Sequence, residues 1–189
     1  MTVRTLAATA LAATTVLALA APAVADSETV ADRRGDTVGT GMGPRGLNPP
    51  PAKRADVVRT VGEHEDRRVT LRVTVADLGP GAYQVQGRVV TDEATYTFVA
   101  NRSGGVREDY VSQDDVGPVM CDGYEVLLQP RRDTMVLSAP RTCLSLPTWV
   151  RFGVRTTATE DGITRADDAR RDGNGNQPVR IGQRRLRHN

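Results

Sequence analysis

The chain has 189 residues, a formal net charge of +2 and only 4% aromatic residues. That length admits one domain of ordinary size with flanking segments. Its core must come from Val, Leu and Ile, at roughly 1.5–3 kcal/mol for each buried side chain, which is enough for one small domain and excludes two. Arginine supplies nearly all the basic charge, and Lys53 is the only lysine.

The first 25 residues read as a secretory signal peptide. Arg4 gives the positive start, Leu6 to Ala21 is uncharged and rich in Ala, Leu, Val and Thr, and Pro22-Ala-Val-Ala25 gives the small-residue cleavage pattern. Cleavage is predicted after Ala25, with Asp26 opening a secreted, extracellular protein. The apolar run is short of the ~20 residues that a membrane span needs. No second such run follows, so no transmembrane segment is expected after cleavage.

Residues 26–55 read as a flexible linker, with Gly35, Gly39, Gly41, Gly43 and Gly46 leading to Pro49-Pro50-Pro51. So polar a segment buries too little surface to offset its ordering entropy. Strand signals then recur through residues 56–160. Val57, Val58 and Val61 form a first run, ended by Gly62 and the charged cluster Glu63 to Arg68. Val69, Leu71, Val73 and Val75 alternate with Thr70, Arg72 and Thr74, the period of two that marks a half-buried strand. Tyr83, Val85, Gly87 and Val89 alternate next, then Thr95, Thr97 and Val99 against Tyr96, Phe98 and Ala100. Tyr110-Val111 is a short edge strand. Tyr124, Val126 and Leu128 share one face, Thr134 to Ala139 returns, Pro140 to Leu144 turns a corner, and Trp149 to Thr157 is the last strand. No window sustains a 3.6-residue period. Seven or eight short strands between Gly/Pro turns predict an all-β fold: a single antiparallel β-sandwich, with a small barrel as the alternative. Residues 161–189 read as a polar basic tail, since Ile163 to Asn189 holds seven arginines against three aspartates.

Cys121 and Cys143 are the only cysteines, and export would place them in an oxidising compartment. One intramolecular pairing is possible, and it would clamp the open end of the hairpin 124–139. No Cys-x-x-Cys and no neighbouring histidine suggests a reactive thiol or a metal pair.

Catalytic motifs are scarce. The chain has no Gly-x-Ser-x-Gly elbow, no His-Glu-x-x-His and no phosphate-binding loop. Gly39-x-Gly-x-Gly43 follows no strand and reads as linker composition. His64 falls in the charged loop and His188 in the tail, so a nucleophile–histidine pair has poor support. Paired acids occur at Asp92-Glu93, Glu108-Asp109, Asp114-Asp115 and Asp167-Asp168, and strand neighbours point to opposite faces. Asp114 and Asp115 with Asp122 are the candidate calcium-binding loop, calcium being the only cofactor considered. Asp172-Gly-Asn-Gly-Asn176 starts like an EF-hand, but Gln177 and Gln183 stand where its glycine and closing glutamate belong. Arg180, Arg184, Arg185 and Arg187 are candidates for holding an anionic cell-wall polymer or glycan. The tail has no aromatics for base stacking, which argues against sequence-specific nucleic-acid binding.

Several segments carry a resemblance: Asp56-Val-Val-Arg59, Val69 to Val75, Cys121-Asp-Gly-Tyr124, Arg131-Arg-Asp133, Pro140-Arg-Thr-Cys-Leu144 and Pro147-Thr-Trp-Val-Arg151. Over residues 56–157 the chain resembles secreted single-disulfide β-sandwich proteins of unknown function from high-GC bacteria. The resemblance implies the fold and no activity. Such proteins often carry an acidic loop between the third and fourth strands, where this chain has only Thr91-Asp92-Glu93. The function expected is a non-enzymatic extracellular binding or surface-associated module. The alternatives are a hydrolase using Asp92, Asp114, Asp115 or Asp122, and retention at the cell wall through the basic tail.

Overall fold

The structure, a computed structural model, describes residues 25–39, 52–160, 162–171 and 177–188. The expected signal peptide, apart from Ala25, lies outside the described residues, as do residues 40–51 of the expected linker and residues 172–176. Among the described residues no helix is long and apolar enough to cross a membrane.

The strands are β1 (Asp26–Ala31), β2 (Val38–Gly39), β3 (Val57–His64), β4 (Arg68–Val75), β5 (Ala82–Thr91), β6 (Thr95–Ser103) and β7 (Val106–Gln113). They continue as β8 (Gly117–Val119), β9 (Glu125–Gln129), β10 (Thr134–Pro140), β11 (Trp149–Glu160), β12 (Ile163–Asp168) and β13 (Leu186–Arg187). They form two open antiparallel sheets, not a barrel. The five-stranded sheet runs β1-β3-β4-β10-β9, and the eight-stranded sheet runs β2-β12-β11-β5-β6-β7-β8 with β13 beside β11.

Alternation decides which side chains meet between the sheets. Val69, Leu71 and Val73 on β4 and Met135, Leu137 and Ala139 on β10 point inward from the smaller sheet, each at most 1% exposed. Val85 and Val89 on β5, Phe98 on β6, and Phe152 and Val154 on β11 face them from the larger sheet, also at most 1% exposed. Each fully buried side chain contributes roughly 1.5–3 kcal/mol. Gly62 marks a close approach of the layers, because a Cβ there would lie 2.2 Å from Cε1 of Phe152.

The first run is phased differently from its expected pattern. Register shifts between Val57 and Arg59 where β3 pairs with β4. The extra residue turns the strand over, so Thr60, Gly62 and His64 face the core while Val58 and Val61 are only partly buried. His64 is therefore no solvated loop residue. It is fully buried opposite Val69.

Two domain boundaries also move. Asp26–Ala31, read as linker, pairs with β3 along its whole length, and Ala52 and Ala55 are completely buried. In the expected tail, Ile163–Asp168 pairs with β11, and Leu186 is completely buried. These segments are too polar to be recognised alone. Their ordering cost is met by ladder bonds to strands already fixed by the core.

Candidate functional site

The cysteines form the disulfide expected of them, with Cα atoms 5.3 Å apart. Cys121 precedes β9, and Cys143 lies in the 3-10 turn Arg141–Leu144 that follows β10. The bridge closes the open end of that hairpin and has a structural role.

The candidate calcium loop does not assemble. Asp114 is ion-paired with Arg88. Asp115 takes a left-handed backbone conformation in an exposed turn, with φ 65°, and Asp122 is exposed beside the disulfide. Asp92 is committed as well: it accepts the Thr148 hydroxyl at 2.6 Å and the Thr148 amide at 3.2 Å. The Thr148 hydroxyl bond is the main cause that holds its pKa below the usual carboxylate value.

The basic C-terminal residues are docked on the sandwich. Arg184 pairs with Asp26 at 2.7 Å, and the Arg187 amide donates to the same carboxylate. The Arg180 side chain donates to the Arg170 carbonyl. The Arg185 guanidinium lies 4.4 Å from the centre of the Trp149 ring, which Arg151 approaches at 5.5 Å. At the same end, Nδ1–H of His64 donates to the Leu186 carbonyl at 3.0 Å, which leaves the His64 Nε2 lone pair buried without a partner. The His64 and His188 rings meet edge-on, 5.4 Å apart.

The acids that do converge are a different set. Asp32 follows β1 and Asp36 precedes β2, so both lie on the loop that carries the chain from one sheet to the other. Asp167 lies on β12, opposite Thr156, and points between the sheets. One carboxylate oxygen each from Asp32, Asp36 and Asp167 lies within 4.8 Å of the others. Asp56 stands next to them, just before β3, and accepts the Gly35 amide at 2.9 and 3.0 Å. Asp167 is 1% exposed. Its Oδ2 accepts the Val57 amide at 2.7 Å, and its Oδ1 is buried with no hydrogen-bond partner. Oγ1 of Thr37, in the same loop, is likewise buried and unpartnered.

Carboxylates are concentrated there. Burial pushes the Asp167 carboxyl up to about 8, with help from Asp32, Asp36 and Asp56 and against the Val57 amide bond. Burial also raises Asp56, opposed by the Gly35 amide and by Arg34. Arg165 is buried two residues along β12 on the face of Asp167. Such an arrangement can hold a hard cation or share protons.

From the sequence Asp167 stood out only as half of the pair Asp167-Asp168 in the presumed tail, and Asp32, Asp36 and Asp56 sat in or beside the presumed linker. Neither Asp26–Ala31 nor Ile163–Asp168 alternates apolar with polar residues, so no sequence signal marked either strand. Comparison of the chain with protein-family models, with characterised proteins and with solved structures finds no match.

Proposed function

We propose that the protein is an exported, non-enzymatic β-sandwich module that binds an extended anionic polymer across the outer face of its eight-stranded sheet. The observation carrying this reading is the make-up of that face. Gln84, Gln86 and Arg88 point outward from β5, the register sets Arg155 beside Gln86 and Arg151 beside Val90, and all of these are partly exposed. Across β6 and β7, Thr97 faces Ser112, Val99 faces Tyr110 and Asn101 faces Glu108. The central strands of an open sheet thus present amides, hydroxyls and guanidiniums in rows, with a ring at either side in Tyr110 and Trp149.

Arginine suits carboxylate or phosphate groups because its planar donors bind two oxygens at once. Among the described residues neither Arg151 nor Arg155 is in an ion pair, and Nε of each is buried without a partner. Arg185, stacked on Trp149, extends the basic row toward the C-terminus. Export is supported by the disulfide, which persists in oxidising compartments. The acids weighed for hydrolysis have other work, Asp114 with Arg88 and Asp92 with Thr148.

Affinity electrophoresis through gels containing polygalacturonate or a phosphate-rich wall polymer tests the reading. Retardation is expected, weakening with salt and largely lost in the Arg151→Gln/Arg155→Gln double variant. Retardation that survives that variant, or release of polymer fragments by the purified protein, would overturn it.

A further inference from the structure

We propose that Asp32, Asp36 and Asp167, with Asp56 behind them, form a calcium site that fastens the loop crossing from β1 to β2. This inference is independent of polymer binding and uses a different face of the molecule.

The geometry fits a hard cation held by oxygen. Calcium binds oxygens at about 2.3–2.6 Å, so opposite ligands of one ion lie up to about 4.6–5.2 Å apart. The three oxygens here fall within 4.8 Å of one another, inside that diameter. A magnesium shell spans only about 4.2 Å and would require the loop to close further. The ligand type agrees too, since carboxylates with added carbonyl or water oxygens are the usual calcium set.

The independent pointer is Asp167. At 1% exposure its Oδ1 lies buried with no hydrogen-bond partner, on the carboxylate that joins the cluster. An unpaired buried acceptor is destabilising, and a cation held at Asp167 would satisfy it. Backbone bonds already hold the donors in place: Val57 fixes Asp167, Gly35 fixes Asp56, and the Asp32 amide donates to the Val58 carbonyl at 3.0 Å. The consequence is architectural. The ligands come from the crossover loop and from β12, so one ion ties the segment that follows β1 in the smaller sheet to a strand of the larger one.

The test is calorimetric titration of EDTA-stripped protein with calcium chloride, alongside magnesium chloride. One calcium per chain is expected, with a Kd in the range of about 10⁻⁶–10⁻³ M, and weaker binding of magnesium. Saturating calcium should raise Tm by about 5–10 °C when present at a hundredfold excess over Kd. Asp36→Asn should weaken binding at least tenfold, while Asp122→Asn should leave it unchanged. Asp36 lies on the crossover loop outside both sheets and is less buried than Asp167, so that variant tests the site even if Asp167→Asn fails to fold. Hydrogen exchange should slow over residues 32–37 when calcium is added. No heat with calcium up to about 10 mM, or binding that survives Asp36→Asn unchanged, would overturn the proposal.

Discussion

Removing the disulfide by the double substitution Cys121→Ala/Cys143→Ala tests how this low-aromatic domain is held together. The bridge spans a sequence separation of 22. In the chain-entropy model, closing such a loop restricts the unfolded chain by about 3.4 kcal/mol at 25 °C. The folded state offers little to change that figure. The Arg68 guanidinium still donates to the Gly123 carbonyl at 2.8 Å, and the Tyr124 hydroxyl still donates to the Val99 carbonyl at 3.1 Å. Neither bond uses the bridge, so both should persist in the variant and the loss should arise on the unfolded side. A typical domain has about 5–15 kcal/mol in total, so the change is large. For a chain of this length it lowers Tm by about 7–14 °C. The assay is urea unfolding with linear extrapolation. The variant should lose about 3 kcal/mol and gain in m-value, because its unfolded chain expands further. A loss below about 1 kcal/mol with an unchanged m-value would refute the reasoning and show that the bridge only decorates the hairpin.

Three further outcomes follow from single contacts. Gly153→Ala places a Cβ 2.1 Å from the Arg180 carbonyl oxygen, so the segment 178–187 must lift. Losing the burial of Leu186 should then cost about 2 kcal/mol and alter Trp149 fluorescence, and unchanged fluorescence and stability would contradict the docked segment. Phe152→Ala removes a ring 1% exposed and packed against Gly62 of the facing sheet, and thermal unfolding should report a loss of about 3–5 kcal/mol. The third concerns His64, whose pKa is lowered from 6.5 chiefly by burial, against the raising effects of the Leu186 carbonyl and Asp26 and with Arg141 and His188 lowering it further. The unfolded chain therefore takes up a proton near pH 6.5 that the folded chain refuses. His64's contribution is whole above that pH and falls as pH drops through it toward the folded pKa. Tm measured between about pH 7.5 and 5 should fall for the parent and fall less for His64→Gln, and parallel curves would contradict the assignment.

Much of the fold was legible because its central strands are half-buried and alternate cleanly. Val69 to Val75 and Tyr83 to Val89 each show one apolar face, and the two cysteines left one pairing to make. The edges were illegible for a physical reason. Strands β1 and β12 are stabilised by pairing with neighbours, not by an apolar face of their own, so Ser27, Glu28 and Thr29 look like linker and Thr164, Arg165 and Asp167 look like tail. One inserted residue near Val58 reversed the phase of β3, which hid the burial of His64. The carboxylate cluster was beyond sequence reasoning altogether. Asp32 and Asp167 are neighbours only because the crossover loop and β12 meet at the rim between the sheets. The acids that looked paired in sequence, such as Asp114-Asp115, point apart and find separate surroundings.

Native-state hydrogen exchange, read amide by amide, tests most directly the claim that both ends of the chain are built into the sandwich and frame its acidic cluster. The amides of Asp26–Ala31 that pair with β3 and those of Ile163–Asp168 that pair with β11 should be protected well above random-coil rates, and calcium should add protection at residues 32–37. Random-coil exchange at Asp26–Ala31 and Ile163–Asp168, with β4 and β10 fully protected, would contradict the account.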